Sequence, residues 1–365
     1  MESDNFLSAI TRPTLLIDRA KAVANIERMA GKARSGGVVL RPHFKTHQTI
    51  EVGRWFRDAG IDRIAVSSVS MANFFAADGW TDIMVAFPVN LREIEEINHL
   101  ARYTNLSLTV SSCGVMPMLS SKIQVPVSVF LEIDVGAGRT GFAPNDFKKM
   151  NLAIEQAAGN PNIRLAGLMT HAGHTYQAQN LVEIQRIHKT GMELLSNLKS
   201  HFTGSLPNLA LSWGDTPTCA IATDYYSADE IRPGNFVYYD LMQWQLGVCS
   251  LHDIAVAVAA PVVALHPERN EIVVYTGAVH LSKEVAHCPA GKPHYGMVVM
   301  PEPTGRWKIP EEPVYLRRIS QEHGVIATDE ALSWRLAPGD LVGILPVHSC
   351  LTADLLRHDS TLIIG

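Results

Sequence analysis

The sequence has little that would place the protein in a membrane or in an oxidising compartment. It has five cysteines, an odd number without a CxxC pair, which argues against a disulfide framework and favours a reducing cytoplasm. Its longest apolar stretch, Ile254 to Leu265, contains Pro261 and is too short to span a bilayer. The N-terminal residues lack an apolar run of signal-peptide length. We therefore predict a soluble cytoplasmic protein without a membrane partner.

Charge and length set two further limits. The net charge is −5 at pH 7, so no basic field favours nucleic acid as a partner. Hydrophobic residues make up 47% of the chain and charged residues 18%, which is enough apolar material for a sizeable core and argues against disorder. The 365 residues exceed the size at which a single core usually stops growing, so two domains are expected.

Short apolar or β-branched runs alternate with helix-like stretches over the first two thirds of the chain. In one such stretch Leu181, Ile184 and Ile187 recur at helical spacing, and Asn145 and Asp146 are start signals for another helix. This alternation predicts parallel pairing, and eight strands over this length predict a (β/α)8 barrel of the TIM type. The predicted strands are 38–45, 63–69, 82–89, 106–112, 127–135, 164–171, 208–214 and 230–240.

The pattern changes after about Gln245. Short strands separated by Pro, Gly and Asn turns follow one another with few helix patterns between them, which predicts a compact all-β domain. We place the barrel at residues 22–245 and the β domain at residues 246–365, so the predicted fold class is α/β followed by an all-β C-terminal domain.

Four basic side chains occupy alternate positions directly after the apolar run 38–40: Arg41, His43, Lys45 and His47. As long as the strand continues they share one face. A solvent-facing edge strand with a basic fringe is one interpretation. The continuous apolar run favours another, a parallel strand buried on both faces. In a barrel the basic stripe would then lie at the C-terminal rim, where barrel enzymes carry out their chemistry.

A lysine among like charges and partly removed from water is a usable amine nucleophile and Schiff-base former. The cations also need anions, and a phosphorylated aldehyde cofactor with an amino-acid substrate supplies a phosphate and a carboxylate. Pyridoxal phosphate is therefore the cofactor hypothesis. It makes Lys45 the nucleophile, with His43 and His47 as further candidate catalytic residues.

Two loops at the same rim are candidates for binding the phosphate. Gly214 ends the predicted seventh strand, and Asp215 and Thr216 follow it. The predicted eighth strand contains Gly234 and Asn235. Barrels often bind phosphate with the loops after these two strands, glycine permits close approach, and free N–H groups at a helix start attract phosphate. Each loop alone could be an ordinary turn, but their places along the chain together favour a phosphate site.

A glycine run follows the fifth predicted strand. Gly136, Gly138 and Gly141 match the GxGxxG dinucleotide fingerprint. In that fold the helix opens inside the run, whereas here the helix signal at Asn145 comes after it, so we reject a dinucleotide site. We predict instead a tight loop that delivers Arg139 to the rim, where a fixed cation could tune the cofactor ring.

Two more clusters remain open from the residues alone. His171 and Tyr176 follow the sixth strand and could either pack or contact cofactor or substrate. His348 and Cys350, two positions apart, would share a face of a strand or turn. Imidazole and thiolate suit zinc, and two ligands could form an open catalytic site, although a buried histidine beside a buried cysteine is the alternative.

These motifs together resemble the D-threonine aldolase and D-serine dehydratase family, fold-type III pyridoxal-phosphate enzymes with the alanine-racemase-like fold. RPHFKTHQ is similar to the family's lysine motif RPHxKTHK, and the likeness continues through DVGAGRTG, HAGHTY, GDTPT, RPGNFVYYD, SQEHGV and HSCLTADL. It covers nearly the whole chain. It implies a barrel and a β domain that the N-terminal strand within residues 1–21 joins, and a homodimer with each active site near the subunit interface.

Carried over by position, the resemblance implies that Lys45 is the Schiff-base lysine and that Arg139 and Tyr176 contact the cofactor ring. It implies His348 and Cys350 as ligands of a divalent metal, with zinc preferred and manganese or magnesium used by relatives. The implied phosphate cradle is Gly214, Asp215, Thr216, Gly234 and Asn235. Gln48 stands where the family usually has lysine, and SWGDTPT replaces a more glycine-rich loop.

The implied activity is a lyase acting on D-3-hydroxy amino acids. Dehydration would release a keto acid and ammonia, and retro-aldol cleavage would release glycine and an aldehyde. His-x-Cys is more like the zinc-dependent D-serine dehydratases, so dehydration is our prediction. A racemase needs no metal and would leave His348 and Cys350 unexplained. A non-catalytic pyridoxal-phosphate carrier resembles the barrel alone.

Overall fold

A computed structural model describes residues 6–327, 336–357 and 360–365. They form two compact units, one from Ile26 to Phe236 and the other from the residues before and after it. The domain limits predicted from the sequence, 22–245 and 246–365, stay predictions. The first five residues of the predicted N-terminal segment lie outside the described part. The first strand, β1 (Thr14–Asp18), belongs to the second unit, and α1 (Arg19–Ser35) follows it.

The first unit contains eight parallel strands in one sheet, as predicted. They are β2 (Val39–Leu40), β3 (Arg63–Val66), β4 (Asp82–Pro88), β5 (Asn105–Val110), β6 (Val127–Glu132), β7 (Ile163–His171), β8 (Ala210–Gly214) and β9 (Glu230–Ile231). Their order is β2-β9-β8-β7-β6-β5-β4-β3. A parallel bridge between His43 and Ala65 joins the first and last strands of this order, so the sheet closes into a barrel.

Helices follow most of these strands. They are α2 (Ile50–Asp58), α3 (Val69–Ala77), α4 (Ile94–Leu100), α5 (Met116–Lys122), α6 (Phe147–Ala158), α7 (Leu181–Phe202) and α8 (Thr216–Ile221). Polar side chains begin several of them by accepting otherwise unpaired N–H groups. Ser68 accepts from Met71 N at 3.1 Å, and Asn180 accepts from Glu183 N at 2.9 Å. An apolar cluster of Ala65, Met84, Phe130, Ala166 and Met169 packs inside the barrel.

The second unit is mostly antiparallel β-structure. Its later strands are β10 (Val256–His266), β11 (Glu271–Tyr275), β12 (Ala286–His287), β13 (Pro293–His294), β14 (Gly296–Pro301), β15 (Trp307–Lys308), β16 (Tyr315–Ile319), β17 (His323–Ala327), β18 (Leu341–Pro346) and β19 (Thr361–Ile364). The strands β10, β11, β17, β16, β14 and β18 pair in a closed ring. The wholly buried β1 lies between β10 and β19.

In the described part of this unit, three short helices interrupt the strands: α9 (Leu241–Gln245), α10 (Ala278–Leu281) and α11 (Ser349–Leu356). Among the helices that the structure describes, none has both the length and the apolar character that a membrane crossing requires. The α/β barrel with an antiparallel β domain, predicted from the sequence, is confirmed.

Candidate active site

The lysine segment does not continue the strand, so its basic side chains do not share one face. β2 ends at Leu40, and residues 44–47 form a turn. The Phe44 N–H donates to Ala65 O at 2.8 Å, and Ala65 N–H donates to Pro42 O at 2.9 Å. This bridge turns the chain over the edge of β3. The predicted stripe is wrong here because side chains alternate only while the backbone stays extended.

Arg41 points away from the rim. Its Nη1 lies 2.6 Å from Asp82 Oδ1 and its Nε lies 2.9 Å from Glu230 Oε2. Both acids are the first residues of their strands, so the buried Arg41 guanidinium belongs to the N-terminal end of the barrel. It therefore cannot be one of the cations at the opposite end.

His47 lies in an aromatic cluster. Its ring centroid is 4.4 Å from that of Phe44, 5.6 Å from Phe56 and 5.8 Å from Phe75. Burial lowers the pKa of His47 to about 3, so the ring is neutral at physiological pH. The Nδ1 atom accepts from Thr49 N at 3.2 Å. These contacts favour a role in holding the lysine turn, and a catalytic role for His47 stays a prediction.

Five basic side chains of the barrel act on one another at the carboxyl ends of the strands. Burial lowers the pKa of His43 well below its ordinary value, and the charges of Lys45, Arg232, His171 and Arg139 lower it further. Burial and nearby cations likewise lower the pKa of His171 to about 3. Both imidazoles are therefore neutral at physiological pH, amid a concentrated positive charge.

His171 is oriented by the chain itself. Its Nδ1 lies 2.9 Å from Gly214 O, and because a carbonyl only accepts, Nδ1 carries the proton and donates. In a neutral ring the other nitrogen, Nε2, is then an acceptor. His171 thus offers a hydrogen-bond-accepting nitrogen within reach of the Lys45 charge.

The two predicted phosphate loops meet beside the lysine segment. Gly234 N donates to Thr216 Oγ1 at 3.3 Å. A Cβ added at Gly234 would lie 2.8 Å from His43 O, and one added at Gly214 would lie 2.9 Å from Arg232 Nη2. Glycine is therefore required at both positions because other groups approach too closely for a side chain.

Asp215 holds its loop rather than facing an anion. The buried carboxylate accepts from Thr218 N at 2.7 Å, from Trp213 Nε1 at 2.8 Å and from Thr175 Oγ1 at 3.3 Å. Burial raises the pKa of Asp215 to about 6 in spite of these donors. A carboxylate so engaged caps the first turn of α8, and cofactor contact by Asp215 stays a prediction.

The remaining predicted cofactor residues lie on 3-10 turns after β7 and β9. Tyr176 is half-buried in the turn Gly173–Gln177, and Asn235 is buried at the start of the turn Asn235–Val237. The strand β7 ends at His171, and Arg232 directly follows β9. Both turns therefore come shortly after a member of the cation cluster. Their cofactor contacts remain predicted.

Arg139 lies in a glycine loop that the Asp134 carboxylate shapes. Asp134 Oδ1 accepts from Gly136 N at 2.9 Å and from Gly138 N at 3.1 Å. The next helix, α6, begins only at Phe147, where Asp146 accepts from Lys149 N at 3.2 Å. The helix therefore opens after the glycine run, as the sequence predicted, and the rejection of a dinucleotide site stays a prediction.

These residues fit pyridoxal phosphate. A half-buried lysine lies among cations that would balance a phosphate and a substrate carboxylate. The buried Glu132 Oε2 has no hydrogen-bond partner, its Oε1 accepts from Thr140 Oγ1 at 2.9 Å, and its charge interacts with that of Arg139. A buried oxygen without a partner is suited to accept a hydrogen bond from a bound ligand.

His348 and Cys350 lie at the start of α11, not on the strand or turn that the sequence predicted. His348 is the residue before the helix and Cys350 lies in its first turn, so the two side chains come together across a helix start. The His348 Nδ1 atom is 3.2 Å from Asp240 Oδ2, which also accepts from Ser349 N at 3.0 Å. The Asp240 side chain is fully buried.

The electrostatics of this pair suit a cation. Burial would lower the pKa of His348, but the Cys350 thiol and the Asp240 carboxylate outweigh it and raise the pKa well above its ordinary value. Within the described ranges no three His, Cys, Asp or Glu side chains cluster as a metal site. An imidazole and a thiol that hydrogen-bond to each other thus lie side by side, and Asp240 fixes the ring through Nδ1, as outer partners of metal-ligating histidines do.

Sequence reasoning missed three residues. Arg232 and Asp240 lie within or at the end of the motif RPGNFVYYD, which was read only for Gly234 and Asn235. Glu132 alternates with buried apolar residues on β6, and a single acid in such a strand was the available signal.

Comparison with known proteins follows the same division of the chain. The family model for the alanine racemase N-terminal domain matches residues 17–241, and that for a serine dehydratase domain matches residues 255–361. D-serine dehydratase from Dictyostelium discoideum is 28% identical over 380 residues, which cover 96% of this chain and 93% of that protein. D-threonine aldolase from Arthrobacter is 30% identical but covers only 46% of this chain and 45% of its own.

A solved structure gives the same result. D-threo-3-hydroxyaspartate dehydratase from Delftia is 28% identical over 95% of this chain and 92% of its own length. Its structure superposes with a TM-score of 0.89 over 98% of this chain and 96% of that one. A variant of that enzyme with a cysteine replaced by alanine was solved in the metal-free form. The predicted family is confirmed: the chain belongs to the alanine racemase N-terminal domain family, with a serine dehydratase domain after the barrel, among pyridoxal-phosphate-dependent enzymes.

Proposed function

We propose that the chain dehydrates a D-3-hydroxy amino acid to a keto acid and ammonia, using pyridoxal phosphate and a divalent metal ion. The observation that carries the proposal is the His348–Cys350 pair with Asp240 behind the histidine. Relatives that are D-serine and D-threo-3-hydroxyaspartate dehydratases span nearly the whole chain. They support a lyase and, within it, the dehydratase reaction.

The barrel residues would hold the cofactor and the substrate's carboxylate. Pyridoxal phosphate, when bound, supplies an electron sink for a bond broken at the α-carbon of an amino acid. Lys45 supplies the amine that would hold it, while Arg139 and Arg232 provide the positive charge that favours phosphate and carboxylate. The neutral His171 presents an unprotonated ring nitrogen that can accept a hydrogen bond at physiological pH.

The second unit would supply the metal. A divalent ion acts as a Lewis acid on an oxygen atom, here the substrate's β-hydroxyl. We propose zinc, because a thiolate and an imidazole are zinc donors whereas magnesium and manganese prefer oxygen. The metal-free form of the cysteine variant in the Delftia relative supports Cys350 as a ligand. Asp240 would orient His348, and the Ser349 N–H steadies Asp240.

Retro-aldol cleavage is the second candidate. The aldolase relative supports it only over less than half of this chain, so it carries less weight than dehydratases that match both domains. We further propose a homodimer in the cytoplasm. None of the five cysteines forms a disulfide, which supports a reducing compartment, while the dimer rests on the family resemblance.

The test is product analysis with D-threonine, with the protein supplied with pyridoxal phosphate and zinc. Appearance of 2-oxobutanoate and ammonia supports dehydration, and glycine with acetaldehyde supports cleavage. Cys350→Ser should lose zinc and dehydration together, while Cys249→Ser, at a half-buried thiol outside the pair, should keep both. If the protein forms no product from D-threonine, D-serine or D-threo-3-hydroxyaspartate, the proposal is overturned.

A further inference from the structure

The N-terminal end of the barrel contains a large cavity. Its volume is about 1200 Å³, and the first residues of β3, β4, β5 and β9 line it. In most barrels of this type, bulky side chains fill the interior. Here small residues such as Ser107, Ser128 and Ala210 face the space, and Phe130 lies at its inner end. The cavity lies at the end opposite the lysine turn, so it is distinct from the cofactor site.

Arginines dominate the outer part of this cavity. Arg63, Arg102 and Arg164 line it, and the exposed Arg164 donates at 2.6 Å to Ser128, a neutral group. Arg63 also pairs with the exposed Asp62 at 2.9 Å. The two acids in the lining, Asp82 and Glu230, are both bonded to the buried Arg41. The outer cavity is therefore positive, with hydroxyl groups between its cations.

A buried chain of hydrogen bonds connects this cavity with the opposite end of the barrel. Arg41 Nε donates to Glu230 Oε2 at 2.9 Å, and the other Glu230 oxygen accepts from Ser212 Oγ. Ser212 in turn accepts from Arg232 Nη1. The Arg232 charge acts on His171 in the cation cluster. Every member from Arg41 to Arg232 is buried, so low surrounding polarity keeps these interactions strong.

We propose that this cavity binds a small anion carrying two or more negative charges, and that its occupancy acts on the cofactor end through Arg41, Glu230, Ser212 and Arg232. Guanidinium groups match the paired oxygens of phosphate and carboxylate, and the cavity has room for a metabolite bearing either. An anion at the outer arginines would offset the Arg63 charge that now acts on Asp82 and Glu230, and so would change their balance with Arg41. Differential binding to the two arrangements is what couples two sites.

Binding is tested on the protein loaded with pyridoxal phosphate, so that the phosphate site is already filled. Inorganic phosphate and succinate are titrated separately by calorimetry, without substrate, at low and high salt. We expect saturable binding that weakens with salt. It should be at least tenfold weaker in the double variant Arg102→Gln with Arg164→Gln, and unchanged in Arg34→Gln, an exposed arginine of α1 outside the cavity. The tighter probe identifies the phosphate or the carboxylate class.

Two results would overturn the site: no saturable binding of either probe, or equal affinity in the wild type and the double variant. Coupling is read from the absorbance of the bound cofactor, which a saturating probe should change in the wild type and leave unchanged in Ser212→Ala. Constant wild-type absorbance at proven saturation refutes the coupling. Neither readout needs turnover, so the outcome is independent of the proposed reaction.

Discussion

Replacing Asp240 by asparagine tests the proposed metal centre without touching either ligand. The carboxylate is fully buried, accepts at 3.2 Å from His348 Nδ1 through Oδ2, and accepts at 3.0 Å from Gln243 N through Oδ1. Asparagine keeps the shape and can still cap α9, since it is a good helix N-cap. What it loses is the negative charge behind the His348 ring.

The expected loss follows from this geometry. An outer partner that fixes the ring and raises its basicity is typically worth 10- to 100-fold in metal affinity, which corresponds to about 1.4–2.7 kcal/mol. Asparagine has an NH2 group in place of one carboxylate oxygen. This group must face either the Ser349 N–H or the Gln243 N–H, both of which need an acceptor. We expect a further loss of about 1–2 kcal/mol in the free energy of unfolding from that mismatch.

The assay is competition for zinc against a chromophoric chelator, alongside denaturant unfolding of the metal-free protein. Asp146→Asn is the matched control, because Asp146 caps the exposed start of α6 in the barrel and should leave zinc affinity unchanged. A folded Asp240→Asn protein that binds zinc within twofold of the wild type would refute the ring-orienting role of Asp240 and weaken the metal assignment.

Three more outcomes are expected. Lys45→Arg should fold normally but lose pyridoxal phosphate during gel filtration, as measured by the ratio of cofactor to protein absorbance; full retention would contradict the role of Lys45. Gly234→Ala should lower the unfolding free energy by about 1–3 kcal/mol, because its Cβ meets His43 O at 2.8 Å, while Gly204→Ala, with open space, should be neutral. The third outcome concerns pH: burial lowers the pKa of His188 from 6.5 to about 4. Between pH 6.5 and pH 4 the unfolded state therefore binds a proton that the folded state does not, and stability falls as the pH drops below 6.5. At pH 5 the His188 share of this loss is about 2 kcal/mol. Other buried histidines with a lowered pKa, such as His47 and His171, contribute losses of stability over the same range, so the fall between pH 7 and pH 5 should be about 2 kcal/mol smaller in His188→Phe than in the wild type, as measured by urea unfolding; an equal fall in both proteins would contradict the assignment.

The barrel could be predicted from the sequence because its strands are buried on both faces and therefore read as continuous apolar runs. Each of the eight predicted runs overlaps a strand, including 106–112, the least distinct run, which overlaps Asn105–Val110. The boundaries were less accurate where strands are short. The predicted eighth strand, 230–240, holds only Glu230–Ile231, because Pro233 lacks an N–H for the ladder.

The basic stripe failed for a related reason. Pro42 follows Arg41, and the chain then pairs with Ala65 and turns, so the alternation of a strand ends after Leu40. The partners of Arg41 lie 41 and 189 positions further along the chain. No local pattern predicts such contacts, and a basic residue beside a catalytic lysine is naturally taken for a neighbour of that lysine. Only the three-dimensional arrangement assigns Arg41 to the opposite end of the barrel.

The His348–Cys350 pair shows where the functional argument has to come from. Two donors two positions apart suit equally a metal and a packed histidine beside a packed cysteine, and a barrel fold alone assigns no reaction. Asp240, 108 positions earlier, supports the metal interpretation that we propose. Its buried carboxylate is costly to desolvate, and together with the Cys350 thiol it raises the pKa of His348, so this place favours positive charge. A ligand histidine needs one nitrogen held so that the other can bind a cation, and the negative charges of thiolate and carboxylate then offset that cation's charge.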